Sequence, residues 1–572
     1  MQEIKDQLKK VIQSLYGLNY NPELTPSPDN IDADYSSNVP LKLAKEIHQS
    51  PMDIAKAIAE KIAQAGDRPG EDPLSTESEM GEEKVWQDPP KVETTPPGFL
   101  NFTLSDSYLQ NAIKELNGDY VSDEYKGKTV VCEFSDPNPF KVLHVGHLYT
   151  SIVGDSISRL FEYAGAKVIR ANFGGDVSLH VAKTMYIMKQ KDLADLTIDD
   201  ISRCYVEGTT AYEDDEAAKA EITKLNKEIY HINSEDLHDS DLAKLYWRGR
   251  ELSYDYFKDF YNSIGVKFDK YYPESTVASL GLEKVKAELN KGVYEVSQGA
   301  VVFNGEKFGL HTRVFINQEG VPTYEAKDVG LIFQKDADYH FDKSVVITGS
   351  EQLEYMKVVL KSIEQFAPEL VAKTSHLIHG MVRLPGNVKM SSRKGNFLKA
   401  TDVIDMVKDE LKDEYNSTDE RVSLAATKYA FLKYKMGGDI VFDPKESVKM
   451  TGNSGPYLLY SCVRAKKILD KTSVQEEAGE QTRPRDLHPS ERNLIKKILE
   501  YISVLNESVA EMAPHKVANY LYELAQTFSR FYENCPVVGS EEEPERLKLV
   551  QAYFNTMSHG LNILGIEIPE EM

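Results

Sequence analysis

Two short stretches of this chain combine residues that could bind and activate a phosphate. The first is HVGH, in which His144, Gly146 and His147 follow the apolar run TVVCEF that begins at Thr129. Glycine lets the backbone approach a planar base or a phosphate, and a helix that begins here offers unpaired N–H groups to anionic oxygens. The two imidazoles can donate hydrogen bonds to a phosphate in a transition state. A lone HxGH is a weak signal because structural histidines are commoner, but its position after a buried strand favours function.

The second stretch is VKMSSRKGN, residues 388–396, which follows the strand-like run HLIHGMVRL. Lysine and arginine on such a loop can close over a triphosphate and neutralise its charge as pyrophosphate leaves. An ordinary solvated basic loop has the same composition, so this stretch alone leaves both interpretations open.

Apolar periodicity divides the chain into three predicted domains that must position these stretches. Residues 1–121 have the pattern of a small α+β domain, within which 65–97 is acidic, rich in proline and glycine, and predicted to be a long loop. Residues 122–454 predict a doubly wound parallel α/β domain with a mostly helical, acidic insertion at about 190–300. Residues 455–572 predict an all-α bundle.

Composition excludes several classes of protein. The chain has 572 residues, of which 67 are Lys or Arg and 91 are Asp or Glu, and the net charge of −24 argues against nucleic-acid binding through bulk charge. This net charge does not exclude nucleic-acid binding through local basic patches. Four cysteines without a CxxC pair provide neither a zinc framework nor a disulfide scaffold, which fits a reducing cytoplasm. The polar start and the lack of an apolar run of about 18 residues predict neither a signal peptide nor a membrane anchor.

Taken together and in this order, HVGH and KMSSR resemble the two signature motifs of class I aminoacyl-tRNA synthetases. Within that class, EFSDPNPFKVLHVGHL, PTYEAKDVGL, GSEQLEYMK and LGIEIPEEM resemble segments of the arginyl-tRNA synthetases, and GFLNFTLSDSYL resembles the end of their N-terminal domain. The resemblance implies a Rossmann-like catalytic domain, an N-terminal domain that binds the tRNA elbow and a helical anticodon-binding domain. It also implies that L-arginine is activated with ATP to arginyl-adenylate and then transferred to the 3′ end of tRNA(Arg), with activation requiring bound tRNA.

Carried over residue by residue, the resemblance implies four sets of site residues. The catalytic set is His144, His147, Lys141, Lys389 and Arg393. The ATP-binding set is His144, Gly146, His147, Lys389, Met390, Ser391 and Ser392. The arginine-binding set is Glu133, Asn138, Tyr324, Asp328 and Gln352. The tRNA-binding set is Phe99, Asn101, Tyr460, Arg464 and Lys467.

The arginine-binding set also makes chemical sense by itself. Tyr324 and Asp328 lie one helical turn apart, so both can reach one face. A guanidinium group has five donors in a rigid fork, and a site for it needs carboxylates in its plane. Asp136 would add a further negative charge beside this site, or would face away. Without the neighbouring motifs, Asp328 is better explained as a surface acid of a helix.

Several departures from the family pattern leave alternatives open. The loop reads KMSSR rather than KMSKS, so a cation is missing at Ser392; Lys141 is the predicted replacement, with Arg393 and Lys394 as competitors. FGGDVSLH replaces a more widespread GDWGTQ segment, which leaves His180 without an expected role.

The tRNA contacts have structural alternatives too. Tyr460 and Arg464 have the spacing of an ordinary packed helix face, and Phe99 fits the core of a small sheet. Lys428, with Lys433 and Lys435, is either a patch for the acceptor stem or simply solvated.

The remaining expectations concern cofactors, partners and rivals. Mg²⁺ is expected to arrive with ATP as the substrate complex, with no tightly bound metal. The partners are then tRNA(Arg), L-arginine and ATP, with no membrane, and the enzyme is predicted to be cytoplasmic and monomeric. Another class I synthetase and a non-catalytic tRNA-binding paralogue are the two rival interpretations.

Overall fold

The computed structural model describes residues 2–28, 31, 33–66, 90–116, 118, 120–191, 196–386, 398–472 and 485–572. They form two compact units. The first comprises Met1–Asp119, Arg464–Val504 and Glu523–Met557, and the second comprises Tyr120–Val463, Leu505–Tyr522 and Ser558–Met572. Across these described ranges, none of the helices has the length and apolarity needed to span a bilayer. The domain boundaries after residues 121 and 454 stay predictions.

The helices and strands follow one another in a mixed order. The helices are α1 (Gln2–Tyr16), α2 (Val39–Ile47), α3 (Pro51–Gly66), α4 (Asp106–Glu115), α5 (Val145–Tyr163), α6 (Leu179–Met188), α7 (Ile198–Asp214), α8 (Glu216–Ser234), α9 (Asp241–Ser263), α10 (Glu274–Leu289), α11 (Tyr324–Tyr339), α12 (Leu353–Glu364), α13 (Pro368–Lys373), α14 (Ala400–Tyr415), α15 (Glu420–Leu432), α16 (Pro444–Ser447), α17 (Gly455–Lys471), α18 (Pro489–Leu499), α19 (Tyr501–Glu511), α20 (Pro514–Asn534) and α21 (Glu543–Ile563). The strands are β1 (Thr25–Pro26), β2 (Tyr35–Ser37), β3 (Lys91–Thr95), β4 (Phe99–Thr103), β5 (Thr129–Glu133), β6 (Lys167–Gly174), β7 (Lys270–Pro273), β8 (Glu295–Ser297), β9 (Ala300–Phe303), β10 (Arg313–Ile316), β11 (Lys343–Gly349), β12 (Thr374–His379), β13 (Val382–Arg383) and β14 (Ile440–Val441).

The first unit contains a four-stranded antiparallel sheet with the order β1-β2-β4-β3. The apolar stripe of α1 supplies core side chains, because Ile4, Leu8 and Ile12 recur at helical spacing and are buried. Within the same unit, Arg492 of α18 donates to the carboxylates of Asp34 and Asp106. Opposite charges that are at least partly buried therefore join the small sheet to a helix from late in the chain.

The predicted loop 65–97 is wrong at both ends. Helix α3 continues to Gly66, and β3 pairs with β4 over its whole length, from Lys91 opposite Thr103 to Thr95 opposite Phe99. The β-branched residues of KVETT favour a strand once a partner strand is available, and the prolines that follow lie outside it. Residues 67–89, the middle of the predicted loop, lie outside the described residues.

The second unit is built on a parallel sheet with the order β12-β11-β5-β6-β7. Strand β5 lies at its centre and is apolar on both faces, with Val130, Val131 and Cys132 fully buried. From β5 the chain crosses through α5 to β6 on one side, whereas β11 joins β5 on the other. Such a reversal of strand order opens a crevice at the carboxyl ends of the strands. The predicted doubly wound α/β class is confirmed.

The predicted helical insertion at about 190–300 is shorter than expected. Helices α7, α8 and α9 fit the prediction and pack around buried residues such as Ile201, Ile222 and Tyr246. Strand β7, however, pairs in parallel with β6, from Ala171 opposite Lys270 to Gly174 opposite Pro273. Four residues with two tyrosines carry too little periodicity to separate them from the helices on either side.

The C-terminal half of α5 is bonded to a segment more than four hundred residues later in the same unit. The Ser156 hydroxyl donates to the Ile563 carbonyl at 2.9 Å, and the Arg159 guanidinium donates to Asn562 Oδ1 at 2.9 Å. The buried Lys428 ammonium donates to the Gly565 carbonyl. Neither predicted role of Lys428, a tRNA patch or a solvated lysine, is correct, and burial lowers its pKa to about 8.

Candidate active site

A cavity of about 810 Å³ lies at the carboxyl ends of β5 and β11. The predicted residues that line it are Glu133, Asn138, His144, Gly146, His147, Tyr324, Asp328 and Gln352. The whole predicted arginine-binding set and the HVGH motif are therefore brought together. Lys141 is not among the lining residues, and its ammonium lies 4.4 Å from the centre of the Tyr205 ring. The loop residues Lys389, Met390, Ser391, Ser392 and Arg393 lie outside the described residues.

The two histidines of HVGH are held at the start of α5 by their own backbone. His144 Nδ1 accepts from the Gly146 N–H and His147 Nδ1 accepts from the His144 N–H, both at 3.1 Å. The rings stack with centroids 3.8 Å apart. Gly146 makes this possible, because a Cβ there would lie 2.8 Å from Cε1 of His144. An imidazole whose Nδ1 accepts carries its proton on Nε2, so each ring keeps an Nε2–H to donate.

Burial keeps both imidazoles neutral. The pKa of His144 is lowered to about 4, mainly by burial and secondarily by the positive charge of Lys141. The pKa of His147 also falls well below its usual value, first because of burial and then because of His144. At neutral pH this end of the cavity thus offers two neutral N–H donors at a helix N-terminus, where the backbone also favours an anion.

The opposite end of the cavity is lined by carboxylates that are each held by one protein donor. Lys335 donates to Glu133 Oε2, and the amide of Phe173 donates to Asp136 Oδ1 at 2.8 Å. The further carboxylate pairs are Asp328 Oδ2 with Tyr355 and Glu274 Oε2 with Lys327. In each of these carboxylates the second oxygen has no hydrogen bond to a described residue. Fixed carboxylates with an unused acceptor are what a cationic, multidentate donor requires.

The pKa values of Asp328 and Asp136, two of these acids, are raised. The pKa of Asp328 is raised to about 8, mainly by burial, which the Tyr355 hydroxyl opposes and the negative charges of Glu133 and Glu274 reinforce. Burial and the charge of Glu133 likewise raise the pKa of Asp136 well above its usual value. A cation entering this end of the cavity would therefore meet acids that ionise more readily in its presence.

The turn after β5 is shaped by backbone conformations that most residues avoid. Ser135 and Asp136 have φ of 73° and 49°. The Ser135 hydroxyl is 2.8 Å from the Tyr261 hydroxyl, and Asn138 Oδ1 accepts from the Gly175 amide at 2.9 Å. These bonds stabilise a turn that aims Asp136 and Asn138 into the cavity lining, a strain typical of functional sites. Asp136 therefore lines the cavity beside the predicted arginine-binding residues and does not face away from it.

Tyr324 and Gln352 line the cavity at its exposed side. Tyr324 begins α11 with 52% of its surface exposed, and Gln352 is exposed just before α12. Neither side chain is needed to fill a core, which leaves both available to a ligand.

Several residues of the site were missed by sequence reasoning. Lys335 is fully buried and bonded to Glu133, although 202 residues separate them in the chain. Its spacing of seven residues from Asp328 placed both on one face of α11, which was the available signal. Lys327, Glu274 and Tyr355 had no such signal. His379, which also lines the cavity, stands at the end of a predicted strand.

The segment FGGDVSLH, which departs from the family pattern although Asp176 keeps its place, has structural roles. Asp176 is fully buried and accepts from Arg250 at 3.0 Å and from Ser275 at 2.7 Å. His180 Nδ1 is bonded to the Ser178 hydroxyl and its Nε2 lies 3.3 Å from the Pro139 carbonyl. Both side chains are used inside the fold.

The predicted tRNA contacts are distributed over both compact units. Asn101 is 4% exposed and its amide is bonded within the small sheet, accepting from Ser36 at 2.8 Å. Phe99 is half-buried, Tyr460 is 40% exposed and Lys467 is exposed. The Arg464 guanidinium lies 5.0 Å from the centre of the Tyr532 ring. The roles of these residues toward tRNA stay predictions.

Comparison with known proteins adds independent support. A family model described as tRNA synthetases class I (R), catalytic domain, matches residues 109–443. Models described as DALR anticodon binding domain and Arginyl tRNA synthetase N terminal domain match residues 458–572 and 2–68.

Individual relatives agree with these family models. The arginine–tRNA ligase of Borrelia duttonii is 30% identical over 511 residues, covering 83% of this chain and 86% of the relative. That of Fusobacterium nucleatum is 26% identical and covers 100% and 99%. The Thermus thermophilus arginyl-tRNA synthetase structure, at 22% identity, has the same fold with a TM-score of 0.78 over the full length of both chains. This chain therefore belongs to the class I arginyl-tRNA synthetases.

Proposed function

We propose that the acid end of the cavity binds L-arginine and the histidine end binds the phosphates of ATP, so that one cavity forms arginyl-adenylate. The observation that supports this most is the arrangement within a single cavity. At one end lie carboxylates in which only one oxygen accepts a hydrogen bond from the described residues, and at the other end lie two Nε2–H donors. Arginine–tRNA ligases use these two substrates and tRNA, and the reaction needs no side-chain nucleophile.

Arginine recognition is assigned to the carboxylates and their neighbours. Asp328 and Glu133 each offer an oxygen to the guanidinium, with Tyr324 as a further contact, while Asn138 is assigned to the α-amino group and Gln352 to a further contact with arginine. Each charge-assisted hydrogen bond contributes about 1.5–3 kcal/mol. Citrulline or lysine would leave a carboxylate unpaired, so the site rejects them.

The chemical step is assigned to the start of α5. An arginine carboxylate oxygen attacks the α-phosphorus, the bond from this phosphorus to the bridging oxygen breaks, and pyrophosphate leaves with that electron pair. Neutral His144 and His147 donate their Nε2–H groups to the phosphate oxygens as negative charge builds. The ribose hydroxyl at the 3′ end of tRNA(Arg) then attacks the arginyl carbonyl, and AMP leaves.

Further assignments complete the proposal. Mg²⁺ enters with ATP and offsets phosphate charge; among the described residues there is no group of three or more His, Cys, Asp or Glu arranged to hold a metal ion. The loop cations Lys389 and Arg393, together with Lys141, neutralise the departing pyrophosphate, while Gly146, Met390, Ser391 and Ser392 contact ATP. The tRNA contacts are assigned to Phe99, Asn101, Tyr460, Arg464 and Lys467. The enzyme acts as a cytoplasmic monomer.

The test is ATP–pyrophosphate exchange with each of the twenty amino acids, with and without total tRNA. Arginine alone should support exchange, and only when tRNA is present. Exchange with glutamate, glutamine or cysteine would favour another class I synthetase, and no exchange with any amino acid would favour a non-catalytic tRNA-binding protein. Size-exclusion chromatography with light scattering would test whether the enzyme is a monomer in solution.

A further inference from the structure

A third histidine lines the cavity beside the HVGH pair. His379 ends β12, where it lies opposite Gly349 of the neighbouring strand β11. It is 9% exposed, and its ring packs edge-on against Tyr149 of α5 at 5.0 Å. It is close enough to His144 and His147 that its charge would lower the pKa of both. The side chain thus faces the nucleotide end of the cavity from a different element.

The hydrogen bond of His379 fixes a tautomer opposite to that of the HVGH histidines. Its Nδ1 lies 2.7 Å from the Gly380 carbonyl, and because a carbonyl only accepts, Nδ1 must carry the proton. Burial lowers the pKa of His379, so the ring is neutral and Nε2 holds a lone pair. No described residue is bonded to this Nε2. The cavity therefore presents two N–H donors and one acceptor near each other.

An acceptor atom restricts which part of ATP it can contact. The lone pair of Nε2 repels phosphate oxygens, so only the adenine 6-amino group and the ribose hydroxyls can donate to it. The lining residues next to His379 are Gly380 in the chain and Gly349 across the sheet, which have no side chains, and Met381 and Val382 follow Gly380 and are apolar. This lining suits a flat purine better than a ribose. Glu351, which also lines the cavity, is a better acceptor for hydroxyls.

We propose that His379 is a specificity residue that accepts a hydrogen bond from the adenine 6-amino group through Nε2. The inference rests on the proposed function, because it places the nucleoside beside the phosphates at the histidine end. A site that hydrogen-bonds an amino group rejects analogues that lack it, since the buried acceptor is then left unpaired.

The experiment compares ATP with purine riboside triphosphate, which has hydrogen in place of the 6-amino group. Arginine-dependent adenylate formation with tRNA present gives kcat/KM for each nucleotide. The wild type should prefer ATP at least tenfold, which corresponds to about 1.4 kcal/mol. His379→Phe keeps an aromatic ring against Tyr149. Its kcat/KM should fall about five- to tenfold with ATP and should stay unchanged with the analogue. His379→Gln, which keeps an acceptor, should restore part of the preference.

His376→Phe provides the matched control. His376 lies on the same strand, but its Nε2 is 2.7 Å from the Thr348 hydroxyl and it does not line the cavity. This variant should keep the full preference for ATP. Equal losses with both nucleotides in His379→Phe, or no preference in the wild type, would overturn the assignment of His379. Absence of any arginine-dependent reaction of the wild type with ATP would instead overturn the proposed function.

Discussion

The histidine end of the cavity is partly buried and the acid end is largely buried, yet they control charge in opposite ways. At the histidine end, burial lowers the pKa of His144 to about 4 and leaves neutral donors whose state does not change over physiological pH. At the acid end, burial raises the pKa of Asp328 to about 8, so its charge depends on what occupies the site. One end is thus preorganised for charge that forms during the reaction, whereas the other end acquires its charge as the cation binds.

The largest effect is expected at the preorganised end. His147→Asn keeps an acceptor near the Nδ1 position but removes the Nε2–H donor. We expect kcat for adenylate formation to fall about a hundredfold to a thousandfold, the usual loss for one such donor, with an unchanged arginine KM. His147→Gln keeps a donor near Nε2 and should retain more activity while losing thermal stability. If the Asn variant is as active as the wild type, His147 does not contact the reacting phosphate.

Lys141 tests whether the histidine end needs a cation from outside the cavity lining. Lys141→Ala should lower single-turnover adenylate formation at least a hundredfold, about 2.7 kcal/mol, because Ser392 cannot offset the charge on the departing pyrophosphate. Adding Ser392→Lys should recover a good part of this loss. A wild-type rate for Lys141→Ala would move the role to Arg393 or Lys394, and would leave Lys141 as a partner of the Tyr205 ring.

A smaller effect is expected at the acid end. Asp328→Asn should lower kcat/KM for arginine at least tenfold, about 1.4 kcal/mol, because one charged acceptor of the guanidinium becomes neutral. The KM for ATP should stay the same. Asp336→Asn, on the same helix but away from the cavity, is the matched control. An unchanged arginine KM in the folded Asp328 variant would remove this residue from the site.

The smallest effect is a pH dependence that only the acid end should show. Without ligand, Asp328 is protonated below a pKa of about 8, and a bound guanidinium favours the carboxylate, so binding releases a proton. Arginine affinity should therefore rise about fivefold between pH 7 and pH 8 and level off above. The pKa of Asp328 also depends on the charged and titratable groups around it, namely Glu133, Asp136, Glu274, Lys335 and Tyr355.

Calorimetry in two buffers of different ionisation enthalpy measures the proton released. The number of protons released per bound arginine should fall by about one in Asp328→Asn, and the affinity of this variant for arginine should depend less on pH. Identical apparent enthalpies in the two buffers for the wild type would contradict the idea that this end acquires its charge on binding.

The histidine end was more predictable from sequence than the acid end, and for a physical reason. His144, Gly146 and His147 are held by hydrogen bonds within four residues, so the spacing in HVGH carries the geometry. Helical spacing places Lys335 on the same face of α11 as Asp328, but its bond to Glu133 depends on how α11 packs against the sheet.

The fold shows the same limit. The parallel sheet was predictable because β5 and β11 are continuous apolar runs of parallel type. Strands β3 and β7 were not, because each is short and depends on a neighbouring strand to which it pairs.

The bonds between α5 and residues 562–565 have a consequence for how the chain is made. The carbonyl that Ser156 binds lies 407 residues further along the chain, and the carbonyl that Lys428 binds lies 137 residues further along. Contacts so distant in sequence form late, because the loop entropy must be overcome first. During synthesis at about 5–20 residues per second, the helix that starts with HVGH has emerged well before its far end can be anchored. The catalytic unit therefore reaches its final structure only after residues 562–565 have been made.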